Sequence, residues 1–133
     1  MSFRLLTPDV RVWGQITPDD VARARDLGVT LIINNRPDGE DPGQPASAQV
    51  EAWARSAGLA YAWAPISGRP TRADAAAMAD LLETADSVLI YCRSGMRSTA
   101  AWAMARTASG AMSPDAARAA AAEAGYDLSG LPL

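Results

Sequence analysis

The residues best equipped for chemistry fall in one stretch, Leu89-Ile90-Tyr91-Cys92-Arg93-Ser94-Gly95-Met96-Arg97-Ser98, which contains the only cysteine of the chain. The apolar run Ser87 to Tyr91 predicts a buried strand, and a helix-like run begins at Ser98. Backbone N–H groups in a tight turn between them form an anion-binding concavity. The helix start adds unpaired N–H groups and a positive dipole end. Arg97 can clamp an oxyanion through two parallel hydrogen bonds, and Gly95 permits positive φ or close ligand approach. In that field Cys92 favours its thiolate, the form that acts as a nucleophile. Cys92 and Arg97 are therefore the catalytic candidates. Arg93, Ser94, Gly95, Met96 and Ser98 complete the candidate anion-binding loop. A free cysteine is usually a small buried hydrophobe. Here strand, Cys, Gly, Arg and helix start coincide in the order a thiolate enzyme needs.

What is missing narrows the chemistry. All 12 basic residues are arginine, and there is no histidine. That excludes a Cys–His dyad, a Ser–His–Asp triad and any imidazole metal site. A single cysteine leaves no intramolecular disulfide and no resolving thiol. The reading calls for no cofactor and no metal. A net charge of −3 gives no electrostatic case for nucleic acid or anionic membrane as partner. No apolar run approaches membrane-spanning length. The stretch Met1 to Leu6 lacks the apolar region of a signal peptide, and a lone thiol suits a reducing compartment; the expectation is cytoplasmic. The 133 residues predict one domain, 1–133.

The elements that position the loop follow from pattern. Val10 to Trp13 alternates as a short strand. Thr17-Pro18-Asp19-Asp20 starts a helix, with Thr as cap and Pro at the first helical position, and Gly28 ends it. Val29 to Ile33 is an aliphatic run of the kind buried on both faces. The polar loop Asn34 to Pro45 follows, long enough to suggest function. A helix is predicted over Ser47 to Ala57, a strand over Leu59 to Ala64, and a second loop over Pro65 to Pro70. Thr71 and Asp74 resemble a capping box, and Ser113-Pro114 starts a last helix through Ala124. Strands alternating with helices predict an α/β fold, a mostly parallel sheet flanked by helices. Sites on such sheets lie outside the carboxyl ends of the strands, so the three loops are expected to converge.

The stretch Gln15-Ile16-Thr17-Pro18, the run Ile32-Ile33-Asn34-Asn35-Arg36-Pro37-Asp38-Gly39-Glu40, Gln44-Pro45, and Tyr91 to Ser98 resemble the bacterial beta-lactamase hydrolase-like, phosphatase-like domain family, also catalogued as phosphatases or sulfurtransferases. The resemblance covers nearly the whole chain. It implies a tyrosine-phosphatase-like domain related to dual-specificity phosphatases, in which the Cys loop binds phosphate and the thiolate attacks phosphorus.

The sequence departs from the phosphatase pattern in three places. Four residues rather than five separate Cys92 from Arg97, a loop of rhodanese size. Tyr91 stands where histidine commonly precedes the nucleophile. The loop Ser67-Gly68-Arg69 offers no carboxylate as general acid, a group that contributes about 10²–10⁴-fold. Asp38 or Glu40 can substitute only if their loop folds over the site. Arg36, an accessory candidate with them, is read first as an anchor of its own loop. Sulfur transfer needs no acid, because a thiolate attacking sulfane sulfur displaces a good anion. The expectation is thus a sulfurtransferase acting through a Cys92 persulfide, with a phosphatase acting through a Cys92 phosphocysteine as the alternative. A non-enzymatic anion-binding module is the third reading. The expected partners are a small anionic substrate (a sulfane sulfur donor or a phosphoester), a thiol acceptor, and a metallohydrolase-type protein that the family name suggests.

Overall fold

A computed structural model describes residues 3–133; Met1 and Ser2, the start of the N-terminal stretch read above, lie outside the described residues. The strands are β1 (Arg4–Thr7), β2 (Val10–Trp13), β3 (Leu31–Asn34), β4 (Ala60–Trp63) and β5 (Val88–Tyr91). They form one sheet in the order β1-β2-β5-β3-β4. β1 pairs antiparallel with β2, and all other pairings are parallel. The antiparallel edge strand β1 is an addition to the predicted pattern. The last strand in sequence, β5, is the central one, with Ile90 beside both Val12 and Ile33.

Strand periodicity divides the core. Val12, Ile33, Val88 and Ile90 point to one face, Ile32, Leu89 and Tyr91 to the other. On the first face lie α3 (Arg72–Leu82), α4 (Met96–Ala108) and α5 (Pro114–Glu123); on the second, α1 (Pro18–Asp26) and α2 (Ser47–Ser56). Each fully buried aliphatic side chain contributes about 1.5–3 kcal/mol. α4 is buried almost all round from Ser98 to Ala103, as expected of a helix enclosed by neighbours. α4 packs against α3, and its Ala101, Trp102 and Ala103 are fully buried in the core of this face.

The local signals act as read. Thr17 with Asp20 and Thr71 with Asp74 form complete capping boxes. Gly28 takes positive φ just past α1. One boundary moves in a way that matters: α4 begins at Met96, with Gly95 as its cap at φ 98. Arg97 therefore lies inside the first helical turn, not before it. The left-handed glycine ends the loop earlier than the hydrophobic pattern indicated.

Candidate active site

Cys92 follows the central strand and is fully buried. Its Sγ accepts the Gly95 N–H at 3.1 Å. The Arg93 carbonyl accepts the Gln15 N–H at 3.2 Å. This contact requires a bare backbone at Gly14, where a Cβ would come within 2.9 Å of the same carbonyl. The loop thus hangs from the end of β2 as well as from β5.

Asn35 holds the three loop bases together. Its N–H donates to the Tyr91 carbonyl at 2.8 Å, and its carbonyl accepts from Ile66 N–H at 2.9 Å. Its side-chain amide donates to the Ala64 carbonyl at 3.0 Å, and its Oδ1 accepts the Ser98 hydroxyl at 2.7 Å. Ser98, placed by the sequence in the anion-binding loop, directs its hydroxyl to this hub instead, because the earlier helix start turns it into the interior. Asn34 works alongside: its Oδ1 accepts the Arg36 N–H at 2.7 Å, and its Nδ2 donates to the Tyr61 hydroxyl at 2.9 Å.

The three loops meet at Arg97, as the strand ends predicted. Arg97 Nη1 donates to Glu40 Oε2 at 2.8 Å and to the Ile66 carbonyl at 2.7 Å; Nη2 donates to Glu40 Oε1 at 2.8 Å. A guanidinium has five N–H donors in a fixed fork. Three are engaged by these bonds; the Nε–H and the second Nη2–H form a side-on edge that meets no carboxylate or carbonyl of a described residue, and the guanidinium interacts with Cys92. That side-on edge is the one left for an oxyanion. Hydrogen bonding to Glu40 raises the Arg97 pKa, and the neighbouring Cys92 adds to the rise. The same contact, helped by Arg36, pulls Glu40 down to about 2 against the opposing effect of burial.

The accessory candidates have definite places. Arg36 is buried, and each of its three guanidinium nitrogens donates: Nε to Glu40 at 2.9 Å, Nη1 to Gln15 Oε1 at 3.1 Å, and Nη2 to Asp41 at 2.6 Å. It braces Glu40 against Arg97 and anchors its loop. Asp38 accepts the Ser47 N–H at 2.8 Å, at the start of α2. Glu40, a carboxylate throughout the neutral range, has no proton to give. Of these acidic candidates, one therefore caps a helix and the other orients an arginine. Arg93 is largely exposed and reaches Asp41 at 3.3 Å. Met96 is partly exposed at the helix start. Tyr91 turns its ring into the α1/α2 core, where burial raises its phenol pKa. Sequence reasoning missed Gln15, Asp41 and Tyr126 as contributors, since each meets the site through a fold contact without a local signal. Among the described residues no group of three or more acidic, Cys or His side chains is placed to hold a metal ion. A groove of about 400 Å³ adjoins Arg97, lined in part by Arg69, Pro70, Met96, Leu128 and Leu131.

The chain resembles known proteins over most of its length. A Beta-lactamase hydrolase-like protein of Xylella fastidiosa is 38% identical over 117 residues, covering 86% of this chain and 27% of its own length. The chain thus spans about a quarter of that relative. The crystal structure of a candidate phosphatase from Neisseria meningitidis matches with a TM-score of 0.87 at 31% identity, covering 98% of this chain and 93% of that one. Pseudomonas aeruginosa TpbA in complex with pTyr matches with a TM-score of 0.68 at 19% identity, over 92% and 73% of the two chains, a likeness of fold alone. The fold is that of the tyrosine and dual-specificity phosphatases. The sequence model of the Beta-lactamase hydrolase-like protein, phosphatase-like domain matches residues 2–110, and the chain belongs to that family.

Proposed function

We propose that the chain hydrolyses phosphomonoesters through a phosphocysteine on Cys92. The observation that carries this reading is Arg97, locked by Glu40 and the Ile66 carbonyl and interacting with Cys92. The Cys92 thiolate forms an S–P bond while the P–O bond to the leaving group breaks, and the departing oxygen keeps the electron pair. Water then attacks phosphorus, the P–S bond breaks, and inorganic phosphate leaves with the thiolate restored. The Gly95 N–H and Arg97 stabilise the developing charge. The groove beside Arg97 accommodates the organic part of the ester. The substrate is a small anionic phosphoester.

No residue of the loop Pro65 to Pro70 supplies a proton, and Glu40 is already ionised. The favoured substrates are therefore esters of acidic alcohols, whose oxyanions leave unaided. A series of aryl and alkyl phosphates tests this. The kcat/KM should fall steeply as the leaving group becomes more basic, by about 10²–10⁴-fold beyond what an acid-assisted enzyme shows, and Cys92→Ser should abolish turnover. A flat dependence would contradict the reading.

Sulfur transfer remains the second reading, favoured by the four residues between Cys92 and Arg97. It would pass the sulfur to an acceptor thiol or to sulfite; the metallohydrolase-type partner, suggested by the family name, goes with either chemistry. The family and the fold support phosphoryl chemistry better, reversing the order that the short loop and the missing acid suggested.

A further inference from the structure

Tyr126 lies in the tail after α5, beyond the residues 2–110 that match the family's sequence model. Its hydroxyl nevertheless donates to the Ser94 carbonyl at 3.0 Å. That carbonyl and the Gly95 N–H belong to one peptide group, and the Gly95 N–H donates to Cys92 Sγ at 3.1 Å. A trans peptide is planar, with its C=O and N–H pointing in opposite directions, and the described chain has no cis bond. Fixing the oxygen therefore fixes the direction of the hydrogen. The preceding peptide is held the same way, through the Arg93 carbonyl and the Gln15 N–H. Two successive carbonyls are tethered on the outside of the loop, so their N–H groups face its interior.

Tyr126 is itself held. Its N–H donates to the Ala121 carbonyl at 2.8 Å. The Arg4 guanidinium lies 5.9 Å from its ring centroid and donates to the Ala124 carbonyl at 2.7 Å. Gly95 is matched to it: a Cβ there would collide with the Tyr126 hydroxyl. We propose that Tyr126 is a positioning residue of the oxyanion cradle, holding the Ser94–Gly95 peptide with its N–H turned toward Cys92 and the bound anion. The proposal rests on the reading of this loop as an oxyanion cradle.

Tyr126→Phe keeps the ring and removes only the tether. Two readouts separate positioning from simple docking of the tail: hydrogen exchange of the Gly95 amide, and the dissociation constant of tungstate as a tetrahedral oxyanion probe. In Tyr126→Phe the Gly95 amide should exchange faster, and tungstate should bind about fivefold more weakly, as for loss of one neutral hydrogen bond. Arg118→Ala is the control, because Arg118 holds the same tail through the Leu131 carbonyl at 3.2 Å without touching Ser94. It should lower the melting temperature and leave tungstate affinity unchanged. Wild-type Gly95 exchange in Tyr126→Phe overturns the proposal, and so does unchanged tungstate affinity when the wild type binds. If the wild type itself takes no tungstate, the cradle reading fails, and Gly95 exchange still decides whether Tyr126 holds the peptide.

Discussion

Glu40 and Arg97 meet end to end, each carboxylate oxygen 2.8 Å from its own guanidinium nitrogen, across a separation of 57 residues. Buried Arg36 holds Glu40 from behind at 2.9 Å. The carboxylate between two arginines fixes the one guanidinium that faces the nucleophile. Pre-set donors of this kind need no reorganisation when charge develops.

Removing the carboxylate should therefore cost rate as well as stability. Glu40→Gln is expected to lower kcat/KM on an aryl phosphate by about 10–100-fold, less than the roughly 10²–10³-fold that removing an oxyanion donor outright costs, while the protein stays folded. Steady-state kinetics beside a thermal melt checks this. An unchanged rate would mean that Arg97 is oriented without Glu40.

The same contact gives a dependence on pH whose sign is fixed. The Glu40 pKa drops from 4.5 to about 2 on folding, so at intermediate pH the unfolded chain binds the proton more readily. The contribution is complete above about pH 4.5 and is lost as pH falls toward 2. Chemical denaturation across that window should show the wild type losing its advantage over Glu40→Gln as the solution is acidified. An advantage independent of pH would contradict the pairing.

The two arginines of the Cys loop should separate. Arg97→Ala is expected to weaken tungstate binding by at least about 100-fold, and Arg97→Lys should recover little of it, because an ammonium cannot present the fork. Arg93 is exposed and, among the described residues, paired only with Asp41, and such surface pairs contribute about 0–1 kcal/mol. Arg93→Ala should change affinity less than about fivefold. Equal losses in calorimetric titrations would refute the assignment.

Ser98 and Asn35 supply a stability test. Their hydrogen bond of 2.7 Å is buried and joins α4 to the base of the Asn34–Pro45 loop. Ser98→Ala leaves the Asn35 oxygen without its donor, which should destabilise the protein by about 1–3 kcal/mol. Denaturant titration with an unchanged slope would report it.

These residues also show how far the sequence could be read. The Cys loop, β3, β5 and both Thr-Asp caps were legible because each signal is local: an aliphatic run, a glycine, or a hydroxyl three residues before an acid. β1 was not, since in Arg4–Thr7 only Leu6 is buried and the strand is itself an edge, paired on one side alone. The start of α4 shifted because Gly95 caps it in a left-handed conformation, which composition permits without requiring. Arg36 was readable as an anchor, but its partner Gln15 lies 21 residues away and Glu40's partner Arg97 lies 57 away. Such contacts depend on which strands are neighbours. The convergence of loops was predictable from topology, and the identity of the touching atoms was not.

The central claim is that Cys92 attacks phosphorus. Mixing the protein with an aryl phosphate, quenching in acid within the first turnover and weighing it intact tests this directly. The account predicts a wild-type adduct of one phosphoryl group, mapped to Cys92 and absent from Cys92→Ser. No phosphoryl adduct, together with a gain of one sulfur atom on Cys92 after thiosulfate, would contradict it and install the sulfur-transfer reading in its place.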